Sequence, residues 1–155
     1  MKTKYKNIVK VSLLLLIAAT LAFIFVQSML PPEKSKEESD KVGDIIEEII
    51  PPDTQAGDYV QNNIRKIAHF AEFFMLGCEV ALYGILFVRP LKWWTLSFPT
   101  ALIVAFFDES IQMFTGRGPM ISDVWIDFLG FLIAGAIFYT VAGVSVLIYK
   151  ICKQK

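Results

Sequence analysis

The chain has 155 residues, 55% of them hydrophobic and 14% aromatic, and its 15 basic residues balance 15 acidic ones. So apolar a composition, with a positive mean hydropathy, exceeds what a soluble domain of this length carries and makes a polytopic membrane protein the expectation. Nothing here points to a nucleic-acid partner, and Cys78 and Cys152 lack the CxxC, CxxH or HxxxH spacing of a zinc or redox site, so both read as membrane-buried thiols.

The first apolar run covers residues 8–30 and follows Lys2, Lys4 and Lys6. It satisfies the ~20 residues of one bilayer crossing. Its length, and the lack of a small-residue cleavage site before Pro31, predict a retained helix rather than a signal peptide. Residues 31–63 then carry nine acidic side chains, from Glu33 to Asp58, against Lys34, Lys36 and Lys41. The start of this segment, rich in Ser, Lys and Glu, reads as a mobile linker. Residues 40–50, DKVGDIIEEII, place Val42, Ile45, Ile46, Ile49 and Ile50 at helical spacing opposite Asp44, Glu47 and Glu48. That pattern predicts a short amphipathic helix on the outer surface, ended by Pro51 and Pro52.

Three further apolar runs cover residues 64–88, 93–114 and 124–149, separated by the turn signals Arg89-Pro90 and Gly116-Arg117-Gly118-Pro119. Links this short make the three helices one compact antiparallel unit. Lys2, Lys4, Lys6, Lys10, Arg89, Lys92, Lys150, Lys153 and Lys155 then fall on one side with no acidic residue among them, which puts both termini in the cytoplasm. Trp93, Trp94 and Tyr149 are expected at the cytoplasmic boundary, where amphipathic rings settle. The expected architecture is an all-α membrane protein with four transmembrane helices. Residues 1–30 form the cytoplasmic N-terminus and first helix, 31–63 a long acidic extracellular loop with its amphipathic helix, and 64–155 a three-helix core with a basic cytoplasmic tail.

Within these apolar runs the ionisable residues follow helical phase. Arg65, His69, Glu72, Glu79 and Tyr83 form one stripe through Leu76, which predicts a face turned to the bundle. Lys66, His69 and Glu72 are spaced by three, so a base, an imidazole and a carboxylate stack within two turns, and Glu72 is placed to orient or charge the imidazole. In the third run Asp108 and Gln112 continue a face holding Ala101 and Ala105, while Glu109 points roughly 100 degrees away, toward a neighbouring helix. In the fourth, Asp123 and Asp127 are followed on the same face by Gly130 and Ala134, and small residues below a polar pair predict close helix packing. Ser122 or Asp123 can also serve simply as an N-cap, and Arg65, Lys66 and Arg117 can snorkel to lipid phosphates. By depth, His69, Asp108, Glu109 and Asp127 all lie within ~10 Å of the outer boundary, with Arg117 at the same edge. An isolated carboxylate at the centre of a membrane helix costs roughly 2.5 to 3.5 kcal/mol, so such residues mark function by default.

KIAHFAEFFMLG (66–77) and DESIQMFTGRGPMISDVWIDFLG (108–130) resemble the two signature blocks of VanZ-like membrane proteins, and the resemblance runs from Lys66 to about Gly143. It implies that Lys66, His69, Asp108, Glu109, Gln112, Arg117, Ser122, Asp123 and Gly130 belong to the family pattern. Asp127 departs from it, since the family often has Asn there. The family's name-giving member is associated with resistance to teicoplanin, a lipid-bearing glycopeptide, so the resemblance implies a setting in the bacterial cell membrane and envelope.

Two functions stand nearly level. In the first, the pocket binds a membrane lipid or a lipophilic small molecule, with Lys66, Glu109, Gln112, Arg117, Ser122 and Asp123 as binding residues. In the second, an integral-membrane enzyme modifies a lipid headgroup, with His69, Glu72, Asp108 and Asp127 as acid, base and assisting groups; no GxSxG element supports covalent serine chemistry. Binding asks for less chemistry and is preferred. Proton-linked transport through Glu79 is a third reading, for which four spans leave little room without a homo-oligomer. No cofactor is expected, although the carboxylates can hold a divalent cation such as Mg²⁺ or Ca²⁺, whose oxygen ligands follow no diagnostic spacing.

Overall fold

The structure, a computed structural model, describes residues 3–88, 90–118 and 120–153. Lys2, Arg89 and Lys155 of the basic set, and Pro119 of the second turn, lie outside these. The described residues form five helices and no strand: α1 (Thr3–Ser28), α2 (Pro32–Glu47), α3 (Gln55–Phe87), α4 (Pro90–Phe114) and α5 (Ile121–Lys153). Three of them, α1, α3 and α5, are long and apolar enough to cross a membrane. In α4 the apolar middle is flanked by Trp93, Ser97 and Pro99 on one side and by Asp108, Glu109 and Gln112 on the other, so no long stretch is purely apolar.

α1 and α4 run one way and α3 and α5 the other. Ser28 at the end of α1 reaches Asp108 near the end of α4, and Trp93 at the start of α4 reaches Val80 in the second half of α3. Ile24, Phe73, Leu76, Ala101, Ala105, Phe128 and Phe131 make the core between them. Outside, α1 exposes Leu14, Leu15, Leu16 and Phe23, α4 exposes Ile103, Phe106 and Phe107, and α5 exposes Val141 and Leu147. Buried inside are His69, Asp108, Glu109, Gln112, Asp123 and Asp127. That distribution inverts the one water selects and suits a lipid surround, where polar groups must be satisfied within the protein.

The close approach of α3 and α5 rests on two reciprocal glycines. A Cβ on Gly77 would stand 2.7 Å from the Phe131 carbonyl oxygen, and one on Gly130 would stand 2.5 Å from that of Phe70. Small residues here let backbones touch, which is how helices associate where lipid removes the hydrophobic drive.

Two elements differ from expectation. The first is α2, which begins at Pro32 and so takes in the segment read as a linker. Proline at the first helical position, Glu33 in the first turn, and the Lys41–Glu37 pair at 2.7 Å one turn apart favour helix over that polar stretch. It ends at Glu47, leaving Ile49 and Ile50 in a turn whose amides donate to the Ile46 carbonyl at 2.9 and 2.8 Å. The second is α3, which starts at Gln55 rather than near residue 64. Thr54 caps it by accepting from the Gly57 amide at 3.0 Å, and Gly57 abuts Pro51 and Pro52 so closely that no side chain fits there. These extra turns hold α2 in place, with Gln61 Nε2 donating to Glu47 Oε1 at 2.8 Å across the two helices.

Trp93 and Trp94 also differ. Instead of only marking a boundary, Trp93 lies over Gly84 and donates from Nε1 to the Val80 carbonyl at 2.9 Å, and Trp94 lies over Gly135 and stacks on Phe131 at 5.8 Å. Neither cysteine is in a disulfide; Cys78 is half-buried, and Cys152 is exposed on the last turn of α5.

Candidate functional site

The turn between α4 and α5 sets the site's outer edge. Gly116 adopts a left-handed φ of +79°, and the Arg117 amide donates back to the Gln112 carbonyl at 3.1 Å. This is the glycine-terminated cap that closes helices ending in a sharp reversal. It throws the Arg117 side chain toward α1, where Nη1 donates to the Gln27 carbonyl at 3.0 Å, while Thr115 Oγ1 donates to the Ser28 carbonyl at 3.3 Å. The α4–α5 turn thus satisfies carbonyls that the end of α1 leaves without helical partners.

Below that edge His69 on α3 faces two carboxylates. Its Nδ1 lies 3.3 Å from Asp127 Oδ1 on α5 and 3.6 Å from Asp108 Oδ2 on α4. Asp108 is held from two sides, because the Ser28 hydroxyl of α1 donates to Oδ1 and Gln112 Nε2 donates to Oδ2 at 3.1 Å. Arg65 Nη2 in turn donates to Gln112 Oε1, completing a chain from the rim to the carboxylate. Asp127 is different: it is 0% exposed and neither oxygen has a hydrogen-bond partner.

Glu109, which helical phase pointed toward a neighbouring helix, meets the residue just before one. Its Oε2 accepts from the Met120 amide at 3.0 Å at the entry to α5. Its other oxygen stays inside, buried and unpartnered, beside His69, Asp108 and Asp127. Each of these four residues offers one ligand atom, and the four atoms all lie within 4.8 Å of one another. Ser122 and Asp123 sit inside the first turn of α5 rather than at its cap position; the Ser122 hydroxyl donates to Asp123 Oδ1 at 3.1 Å, and Asp123 is buried.

Two adjoining clefts open over this cluster. One of about 190 Å³ is lined by His69, Glu72, Arg65 and Arg117 together with Ser28 of α1 and Glu38 and Val42 of α2. The other, of about 350 Å³, is lined by Lys36, Arg65, Arg117 and Ser39. Glu72 therefore faces the cleft, while Asp108 and Asp127 stand against the imidazole that Glu72 was expected to orient. Half-buried Lys66 lines neither cleft. Away from the cluster, Glu79 accepts from Thr20 of α1 at 2.9 Å.

Sequence reasoning left α1 and α2 out of the site. Ser28 gave no signal, because a serine ending an apolar run is ordinary. Lys36 was hidden in a stretch read as linker. Arg65 was visible, on the stripe with His69.

A family model described as VanZ/LLP1 matches residues 13–144, taking in α1 from Leu13 onward as well as most of the three-helix unit. No curated protein and no solved structure matches the chain. With that match over most of its length, and with helices apolar enough to cross a bilayer, the chain is a membrane protein belonging to the VanZ/LLP1 family.

Proposed function

We propose that this protein crosses a bacterial plasma membrane four times, with both termini cytoplasmic and α2 on the outer surface. The clefts under α2 bind the anionic headgroup of a lipid-linked or lipophilic ligand, and through that ligand the protein contributes to the cell envelope or to resistance against teicoplanin-type glycopeptides. The topology is supported by Lys4, Lys6, Lys10, Lys92, Lys150 and Lys153, which share the end of the bundle opposite the clefts. The observation that carries the binding role is the triad of cations Lys36, Arg65 and Arg117 lining one recess next to the buried His69 and the half-buried Glu72. Guanidinium forks match phosphate geometry, and a partly desolvated recess strengthens the contact.

Purified protein should retain short-chain phosphatidylglycerol over phosphatidylcholine in native mass spectrometry, and Arg65→Gln or Arg117→Gln should erase that preference. Equal retention of both lipids by the wild-type chain sinks the reading. In cells, the Arg117→Gln variant should also lose any teicoplanin tolerance that the wild-type chain confers.

A second reading, a membrane enzyme modifying the headgroup, is favoured by the imidazole of His69 set between Asp108 and Asp127. Such an imidazole is placed to take up or deliver a proton at the cleft. A changed headgroup after incubation, lost in His69→Ala, separates this reading from binding alone; unchanged lipid rules it out.

A further inference from the structure

The four buried groups His69, Asp108, Glu109 and Asp127 come from three helices, and none is more than 7% exposed. Asp127 has no hydrogen bond at either oxygen, Glu109 has none at Oε1, and His69 has none at Nδ1. The nearest approach, His69 Nδ1 to Asp127 Oδ1 at 3.3 Å, would at best serve one of these oxygens, and it leaves Asp127 Oδ2 and Glu109 Oε1 without a partner. The nearby guanidiniums do not neutralise them either: Arg65 is turned to Gln112 and Arg117 to the Gln27 carbonyl, and neither forms an ion pair with the cluster among the described residues. Three carboxylates out of water therefore face at most one positive charge, that of the His69 imidazole, and such an excess of buried negative charge is where a bound cation belongs.

The spacing also suits co-ligands of one ion. His69 Nδ1 stands 3.3 and 3.6 Å from two carboxylate oxygens, and ligands about 2.0–2.1 Å from a tetrahedral ion stand roughly 3.4 Å apart. Ser28 and Gln112 give Asp108 the outer hydrogen bonds that hold a ligating carboxylate in orientation. One imidazole with three carboxylates and no thiolate selects a borderline divalent ion over soft Cu⁺ on one side and all-oxygen Mg²⁺ or Ca²⁺ on the other.

We propose that His69, Asp108, Glu109 and Asp127 bind one divalent cation of the Mn²⁺ or Zn²⁺ class in the interior of the bundle. Ser28 and Gln112 are positioning residues for Asp108. The site is independent of whether the clefts above it take an anionic headgroup, and either can fail while the other stands.

The test uses the purified full-length chain in nanodiscs, stripped with a chelator and titrated with Mn²⁺, free ion being followed by electron paramagnetic resonance and Zn²⁺ used as competitor. One equivalent of Mn²⁺ should be bound per chain and displaced by Zn²⁺, with Mg²⁺ at the same concentration leaving it in place. Asp108→Asn and Asp127→Asn should each weaken binding more than about tenfold, and Ser28→Ala by about 10- to 100-fold, as outer hydrogen bonds to ligands do. Glu79→Gln, which changes a buried carboxylate outside the group, should leave it unchanged. The wild-type titration needs no variant to fold: absence of a one-equivalent site overturns the proposal. So does binding that survives both Asp108→Asn and Asp127→Asn at wild-type affinity, or that Glu79→Gln weakens as much.

Discussion

The α3–α5 crossing is built differently toward its two ends. Around His69 the crossing is lined by acids from α4 and α5, an amide from α4 and a serine from α1, with several buried oxygens left unpaired. Around Gly84 and Gly135 they meet through Trp93 and Trp94 laid over bare backbone, with Tyr83 5.1 Å from Trp93 and Tyr139 5.2 Å from Trp94. Between the two regions lie the paired notches at Gly77 and Gly130. The aromatic end has its polar needs met with few exceptions and looks built for stability. The acidic end carries groups that cost stability in lipid, which is the usual mark of a site kept for function.

The largest expected effect breaks the structure common to both ends. Gly130→Ala drives a methyl into the Phe70 carbonyl, and Gly77→Ala into that of Phe131; each should cost about 3 kcal/mol, the upper range of overpacking, measured by unfolding in mild detergent. A wild-type unfolding curve for both would mean that the helices do not touch there.

The next prediction has the opposite sign. Asp127→Asn removes one of three carboxylates crowded around a single imidazole, the one with no hydrogen bond at either oxygen, while keeping the side chain's shape, so in chelator the variant should be more stable than wild type by about 1 kcal/mol. Added Mn²⁺ should reverse that order, and a destabilised variant in chelator would show that the acidic end is structural after all. Thr20→Val tests the pairing below the site. Losing one hydrogen bond to Glu79 between membrane helices should cost about 0.6 kcal/mol. Smallest of all, Glu37→Gln removes an exposed ion pair with Lys41 on α2 and should leave the unfolding curve where it was, because solvent screens such pairs.

The helices were legible because lipid demands long apolar runs, and the inward stripe of Arg65, His69, Glu72 and Glu79 was legible because helical phase is fixed at 100 degrees per residue. The level shared by His69, Asp108 and Asp127 followed from counting residues from helix ends. What the sequence concealed depends on contacts between distant segments. Helical phase predicts the direction of Glu109, but only the path of the turn through Met120 brings its second oxygen back to the cluster. Glu72 lies three residues from His69, yet the imidazole faces carboxylates 39 and 58 positions away in the chain. Ser28 looked like the ordinary end of a membrane-crossing run, and the start of α2 like a linker, since the same Ser, Lys and Glu residues serve disorder and solvated helix equally well. The proline at its first position and the Glu37–Lys41 spacing were the available signals for helix.

The clamp on the end of α1 has a mechanical consequence. Arg117 and Thr115 grip the carbonyls of Gln27 and Ser28, so α1 is fastened at its C-terminal tip, while among the described residues its basic start has no such tie. A lone anchor helix answers a thicker or thinner bilayer by sliding or tilting on its own. This one cannot slip past its neighbours, and a change in lipid thickness must be absorbed by tilting the whole bundle or by letting the N-terminal tip of α1 rise and fall like the loose end of a pinned rod.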